Sequence, residues 1–367
     1  MTPMIGPSVT SSPSAVSFHR PTLTRRDLQS VLDALVEEEI TTGNQVKNFE
    51  KELASTLEVN YAVALSSYAA GYHMALIANG IQAGQEVILP STAPLAALDG
   101  ISYIGAKPVL VDLARSSFHP DRTDIESKIT DNTKAIILHY PFGSYFNYRA
   151  MVEKVKQDHP QIKIIEDIST MLCTDIEGKY LGNDADAAIL GLNKEMPATI
   201  GKGAALFFDS KTVYQNLKEI RNEGYQKPYK VRYDYSITDY QAAMGLEQIA
   251  QQAQNMDRRK KIGNKYLESC RKAGIETYFN GQGKDSFAAF AILCPESNQK
   301  TMRQFKSMGI ETKNLFDHEG LHNLLQLDSS EFRNTERIIA KGLLLPLYPL
   351  LSRVHIDRVI KGIQKMT

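Results

Sequence analysis

Seven short runs in this chain are almost uninterruptedly apolar. They are YAVAL from Tyr61, EVILP from Glu86, KPVLVD from Lys107, KAIILHY from Lys134, IKIIED from Ile162, DAAILGL from Asp186 and GAALFF from Gly203. Each is short enough for a strand, and stretches with helical spacing lie between them. A strand with one wet face alternates apolar and polar residues, whereas a strand apolar at successive positions has to be covered on both faces. The runs therefore predict an α/β fold, with a mainly parallel sheet between layers of helices. In such sheets ligands gather at the carboxyl ends of strands, where Asp112, His139, Asp167 and Lys194 fall.

The chain has 367 residues, more than one ordinary core needs, and two domains are expected. The assignment is a flexible arm over 1–20, a large α/β domain over 21–245 that includes the N-terminal helices, and a small C-terminal α/β domain over 246–367. The arm is rich in Ser, Pro and Thr and lacks the apolar core of a signal peptide. Thr24 with Asp27 marks a helix start, followed by Leu28, Val31, Leu32 and Leu35 at helical spacing. A second helix is expected from Val46 to Thr56, and one long helix from Tyr240 to Ala273. Beyond it come a strand over Phe287 to Leu293, the segment GLLLPLYPLLS and a closing helix. Lys plus Arg and Asp plus Glu balance at 42 each, which argues against nucleic acid or an anionic membrane as partner. No run is long enough to span a bilayer. Three widely spaced cysteines, Cys173, Cys270 and Cys294, fit neither a disulfide framework nor a metal site, and a reducing cytoplasm is the expected compartment.

The chemistry candidates begin with Gly201-Lys202-Gly203. It is not a phosphate loop of the Walker type, because Met196 and Gly203 stand where a glycine and a hydroxyl residue are needed, and it reads as a turn into a strand. Asp167 ends an apolar strand, as a helix cap, a solvated strand end or a functional carboxylate. Lys194 follows after a further apolar strand, and is either a surface lysine or a desolvated amine. Together, an amine that can condense with an aldehyde and a carboxylate that can keep a pyridine nitrogen protonated are the two essentials of a pyridoxal phosphate (PLP) site. His139 is either functional or a hydrogen-bonded structural histidine. Tyr225, Tyr229, Tyr233 and Tyr235 line a pocket or belong to an exposed loop at a dimer contact.

From about Pro21 to Lys365 the sequence resembles the DegT/StrS-type nucleotide-sugar aminotransferases, PLP enzymes of fold type I. The resemblance rests on TTGNQVKNFEKELA, GIQAGQEVILPS, GAKPVLVD, LHYPFG, IIEDIS, the Asn-Lys at 193–194, IRNEG, ITDYQAAMGLEQI and LLLPLYPLLS, in that order. It implies a mainly parallel seven-stranded sheet in the large domain, a homodimer, Lys194 as the lysine that holds PLP and Asp167 as the partner of the ring nitrogen. It also assigns to the cofactor Ser67, Tyr68 and Ala69 in place of the family's Ser/Asn-Gly-Thr phosphate turn, Pro94 in place of the stacking aromatic, and Thr170 in place of a Gln or His. The departures continue: Ile189 replaces a phosphate-binding serine, Gly201-Lys202-Gly203-Ala204 replaces Gly-Glu-Gly-Gly, and Asp234-Tyr235-Ser236 replaces Asn-x-Arg. A cradle that loses hydroxyls and an arginine implies weak PLP binding, with Lys202, Ser66 or Ser67 as compensating groups. The implied activity is transfer of an amino group from an amino acid, glutamate being the expected donor, to a keto-sugar nucleotide. The competing expectations are a non-catalytic relative acting in binding or assembly, and a PLP enzyme of altered chemistry. No metal is expected.

Overall fold

A computed structural model of the chain describes residues 15–37, 40–221, 231–279, 283–316 and 318–366. Its strands are β1 (Tyr61–Leu65), β2 (Glu86–Pro90), β3 (Lys107–Val111), β4 (Thr133–His139), β5 (Lys163–Asp167), β6 (Asp175–Ile176), β7 (Lys179–Tyr180), β8 (Ala187–Gly191), β9 (Ala204–Phe208), β10 (Phe290–Leu293), β11 (Lys313–Asn314) and β12 (Gly342–Leu345). Each of the seven apolar runs is a strand of one sheet, ordered β1-β9-β8-β5-β4-β2-β3. The five strands β3, β2, β4, β5 and β8 run parallel, while β9 is antiparallel to both β8 and β1.

Period-two alternation survives within the continuous apolar runs and sends neighbours into different cores. On β4, Ile136 and Leu138 join one buried cluster, and Ala135 and Ile137 join the cluster on the opposite face. On β5 the same alternation puts Glu166 and Asp167 on opposite faces. A third core forms around β10, β12 and the helices Gln252–Ala273 and Arg353–Gln364.

Two N-terminal helices pack beside the sheet. The helix Arg25–Val36 opens on the expected capping box of Thr24 and Asp27. Asp27 also accepts from the Gln248 amide at 2.6 Å, so this helix is tied to its neighbour through a buried polar pair. Its leucines do not form the buried face that their spacing suggests: Leu28, Leu32 and Leu35 are 58%, 55% and 44% exposed, and Asp27 and Ala34 form the buried side instead. The second helix, Asn44–Thr56, starts two residues earlier than expected. Buried Asp239 accepts from the amides of Gly43, Gln45 and Val46, which satisfies orphan donors at that helix end.

Three expectations need correction. The long helix is two, Asp239–Ala250 and Gln252–Ala273, joined at Gln251. The strand near 287 begins only at Phe290. The arm placed over 1–20 packs from residue 16 onward. Val16 is fully buried and bridges Ile310, and the Phe18 amide donates to Glu311 at 3.0 Å. Residues 1–14 lie outside the described chain. The three cysteines are free, and among the described residues no helix is long and apolar enough to cross a membrane and no cluster of side chains could hold a metal ion.

Candidate active site

Asp167 and His139 are the last residues of adjacent parallel strands and pair in register at the carboxyl edge of the sheet. Asp167 is 3% exposed. Its Oδ1 accepts from the Ser169 amide at 3.0 Å and from the Ser169 hydroxyl. Its Oδ2 accepts from the phenols of Tyr68 and Tyr72. These tyrosines stand four residues apart in the helix Tyr68–Ala78, hence on one helix face, and their ring centroids are 5.2 Å apart. Burial raises the Asp167 pKa, and the donors from Ser169, Tyr68 and Tyr72 pull it back. Burial, and then the nearby Asp167 charge, drive both phenol pKa values well up, so both tyrosines keep the protons they donate.

Asp167 opens on a cleft of about 820 Å³ lined also by Tyr68, Thr92, Pro94, His139, Thr170, Lys194, Lys202, Lys313 and His318. The cleft thus brings together Lys194, Asp167, Tyr68, Pro94 and Thr170 of the residues singled out above. Ser67 and Ala69 do not line it. The Ser67 hydroxyl caps the helix Tyr68–Ala78 by accepting from the Ala70 amide at 3.1 Å, and the neighbouring Ser66 amide donates to the Tyr235 carbonyl at 2.7 Å. The Thr170 hydroxyl donates to the Tyr140 carbonyl. Pro94 is the residue before the helix Leu95–Tyr103.

Of the two readings of Lys194, a surface lysine or a desolvated amine, the structure shows the first: β8 stops at Gly191 and Lys194 sits exposed in the turn that follows rather than at the strand end. That turn is held to the N-terminal segment, where His19 Nε2 donates to the Lys194 carbonyl at 2.9 Å. Gly201-Lys202-Gly203 is the turn into β9, with Gly201 at a φ of 85°. Asp112 has a structural duty, accepting from the Asn334 and Thr335 amides at the start of the helix Arg333–Lys341. Tyr233 and Tyr235 stack with each other near His73, while Tyr225 and Tyr229 lie outside the described residues.

Two buried polar side chains on the cleft wall have no hydrogen-bond partner among the described residues: both nitrogens of His139, and the Thr92 hydroxyl. Desolvation lowers the His139 pKa to about 3, helped by repulsion from His318, so the ring is neutral at physiological pH. Unpaired buried polar atoms cost free energy, and these two side chains leave unused hydrogen-bonding capacity on the cleft wall. Sequence reasoning missed Thr92, Ser169, Tyr72, His19 and His318. Only the Tyr-x-x-x-Tyr spacing at 68 and 72 carried a signal, since it puts two phenols on one face.

Fold and cleft define an open α/β protein that presents a ligand site at the carboxyl ends of its strands. The chain belongs to the DegT/DnrJ/EryC1/StrS aminotransferase family, which it matches over residues 21–364. Among curated relatives, GDP-perosamine synthase of Escherichia coli is 26% identical over 361 residues, covering 95% of this chain and 98% of that protein. Two solved structures share the fold. One, from Streptococcus pneumoniae and in a PLP-form, superposes with a TM-score of 0.87 at 22% identity, covering 96% of this chain and 98% of that one. The other, the aminotransferase TlmJ of Streptoalloteichus hindustanus, has a TM-score of 0.86 at 20% identity over 96% and 98%.

Proposed function

We propose that the chain is a PLP-dependent aminotransferase that passes an amino group from an amino acid, glutamate in the first instance, to the keto carbon of a nucleotide sugar. The observation that carries this reading is that Lys194 and Asp167 open on the same cleft. The unpaired polar atoms of His139 and Thr92 on its wall fit a polar group of the cofactor's kind. When bound, PLP supplies an aldehyde carbon that takes up the amine and a protonated ring that accepts electrons from the adjacent carbon. The donor leaves as its keto acid and the sugar carbonyl becomes an amine, so no external oxidant is needed.

This chain's own groups have separable tasks. Lys194 offers a primary amine at the mouth of the cleft and is the residue to move a proton there. Asp167 is a carboxylate on the cleft wall, able to favour a positive charge on a ring nitrogen. Neutral His139 can accept or donate a hydrogen bond without adding charge. The cleft lining also carries Lys202 and Lys313, the latter paired with Glu195 at 3.0 Å, and these amines are suited to meet a diphosphate. A homodimer is part of the proposal, because the exposed leucines of the helix Arg25–Val36 form an apolar stripe of the sort that subunits cover.

One observation favours a second reading, a relative that binds ligand without catalysis: the acceptor positions of Asp167 are already filled by this chain's own donors. The deciding experiment is a half-reaction with glutamate and PLP, followed by borohydride reduction and peptide mapping. Formation of pyridoxamine phosphate and label on Lys194 are expected. Label on Lys202, or no conversion with any amino acid, would remove the catalytic assignment.

A further inference from the structure

An ionised carboxylate has about four lone-pair sites. At Asp167 four donors converge on them: the Ser169 amide and hydroxyl on Oδ1, and the Tyr68 and Tyr72 phenols on Oδ2. The four are not equally placed. Ser169 is two residues from Asp167, and its hydroxyl also accepts from the Gly191 amide at 2.6 Å, so it is held locally. Tyr72 is fully buried, one helical turn in, and does not line the cleft. Tyr68 is the first residue of its helix, is 7% exposed and does line the cleft. Its ring lies over the end of β8, where a Cβ added at Gly191 would come within 2.9 Å of Tyr68 Cε2. Ser67 and Ala69, on either side of Tyr68 in sequence, are absent from the cleft wall.

We propose that Tyr68 is a built-in competitor for the cofactor, its phenol holding the Asp167 lone pair that a ring nitrogen would use, so that PLP reaches the carboxylate only after Tyr68 turns away. The inference rests on the PLP reading above. Turning Tyr68 out leaves Asp167 three donors and one free acceptor site. It also opens the way from the cleft to the amino end of the helix Tyr68–Ala78, where backbone amides favour an anion. The displacement gives up a hydrogen bond to a charged group, equivalent to about 10- to 100-fold in affinity. A closed and an open arrangement also impose a rate limit, since binding has to wait for the ring to move.

The test is a titration and a stopped-flow association of PLP with the full-length protein, read by absorbance, on wild type, Tyr68→Gly, Tyr68→Phe and Tyr72→Phe, with a thermal melt of each. Tyr68→Gly is expected to bind PLP about 10- to 100-fold more tightly than wild type. Its association rate should rise in proportion to PLP concentration, whereas the wild-type rate levels off. Tyr68→Phe keeps the ring and loses the hydroxyl, so it should fall between the two and covers the case in which the glycine variant does not fold. Tyr72→Phe should not relieve the rate limit. Equal affinity and equal concentration dependence in wild type and both Tyr68 variants would overturn the competitor while leaving the cofactor assignment standing. Folded variants that all fail to bind PLP would overturn both.

Discussion

At Asp167 the charge and the hydrogen bonding cannot be separated as cleanly as a carboxylate-to-amide change suggests. Asparagine would present an amide N–H₂ where the carboxylate accepts, so at least one of the Tyr68, Tyr72 and Ser169 donors would face another donor. Asp167→Asn is expected to lower stability by about 1 to 3 kcal/mol, the cost of a buried unsatisfied group. It should also reduce half-reaction turnover by orders of magnitude, because the charge proposed to face the ring nitrogen would be gone. A melt beside the assay checks both; a variant that melts lower but turns over as wild type would leave Asp167 a structural residue. Its neighbour Glu166 faces the other core and accepts from the Gly182 amide at 2.9 Å. Burial raises its pKa from 4.5 to about 7. The folded state therefore binds more protons than the unfolded state between those values, and stability is lost as pH rises from about 4.5 through 7. Glu166→Gln should remove that slope and be the more stable protein above pH 7 by up to about 3 kcal/mol. Denaturation midpoints at pH 5 and pH 8 measure it, and identical pH slopes in the two proteins would show that Glu166 ionises freely.

On the scale of elements, the helix Arg25–Val36 shows how a local pattern can be right about conformation and wrong about burial. Its Thr24 and Asp27 box and its leucine spacing make a helix, yet the Asp27 contact with Gln248 turns the leucines outward. An apolar stripe left in water argues for cover by another subunit. Leu32→Glu is expected to shift the protein from dimer to monomer in sedimentation or light scattering, with little change in helix content. A wild type that is monomeric at tens of micromolar, or a Leu32→Glu protein still dimeric, would exclude this stripe as the contact. The junction at Gln251 is a second case. Apolar spacing runs through it, whereas the break into two helices follows from backbone geometry that no periodicity reports.

For the whole molecule, the amino-acid sequence by itself determined the sheet. Seven apolar runs became its seven strands, because a strand buried on both faces has few other ways to be satisfied. The same runs put Asp167 and His139 at one edge, since parallel strands end together. Family membership was likewise legible, in the order of motifs spread along nearly the whole chain. Tertiary structure decided what those residues face. The four donors on Asp167 come from positions 68, 72 and 169, and the Lys194 turn is held by His19, 175 residues away. Burial of Tyr68 over Gly191, the exposure of Lys194 and the unpaired nitrogens of His139 depend in the same way on elements that meet only in the folded chain. Strand formation answers to the apolar pattern of a few neighbouring residues. Which lone pair is filled, and by which hydroxyl, is set by contacts at a sequence distance that no local pattern records.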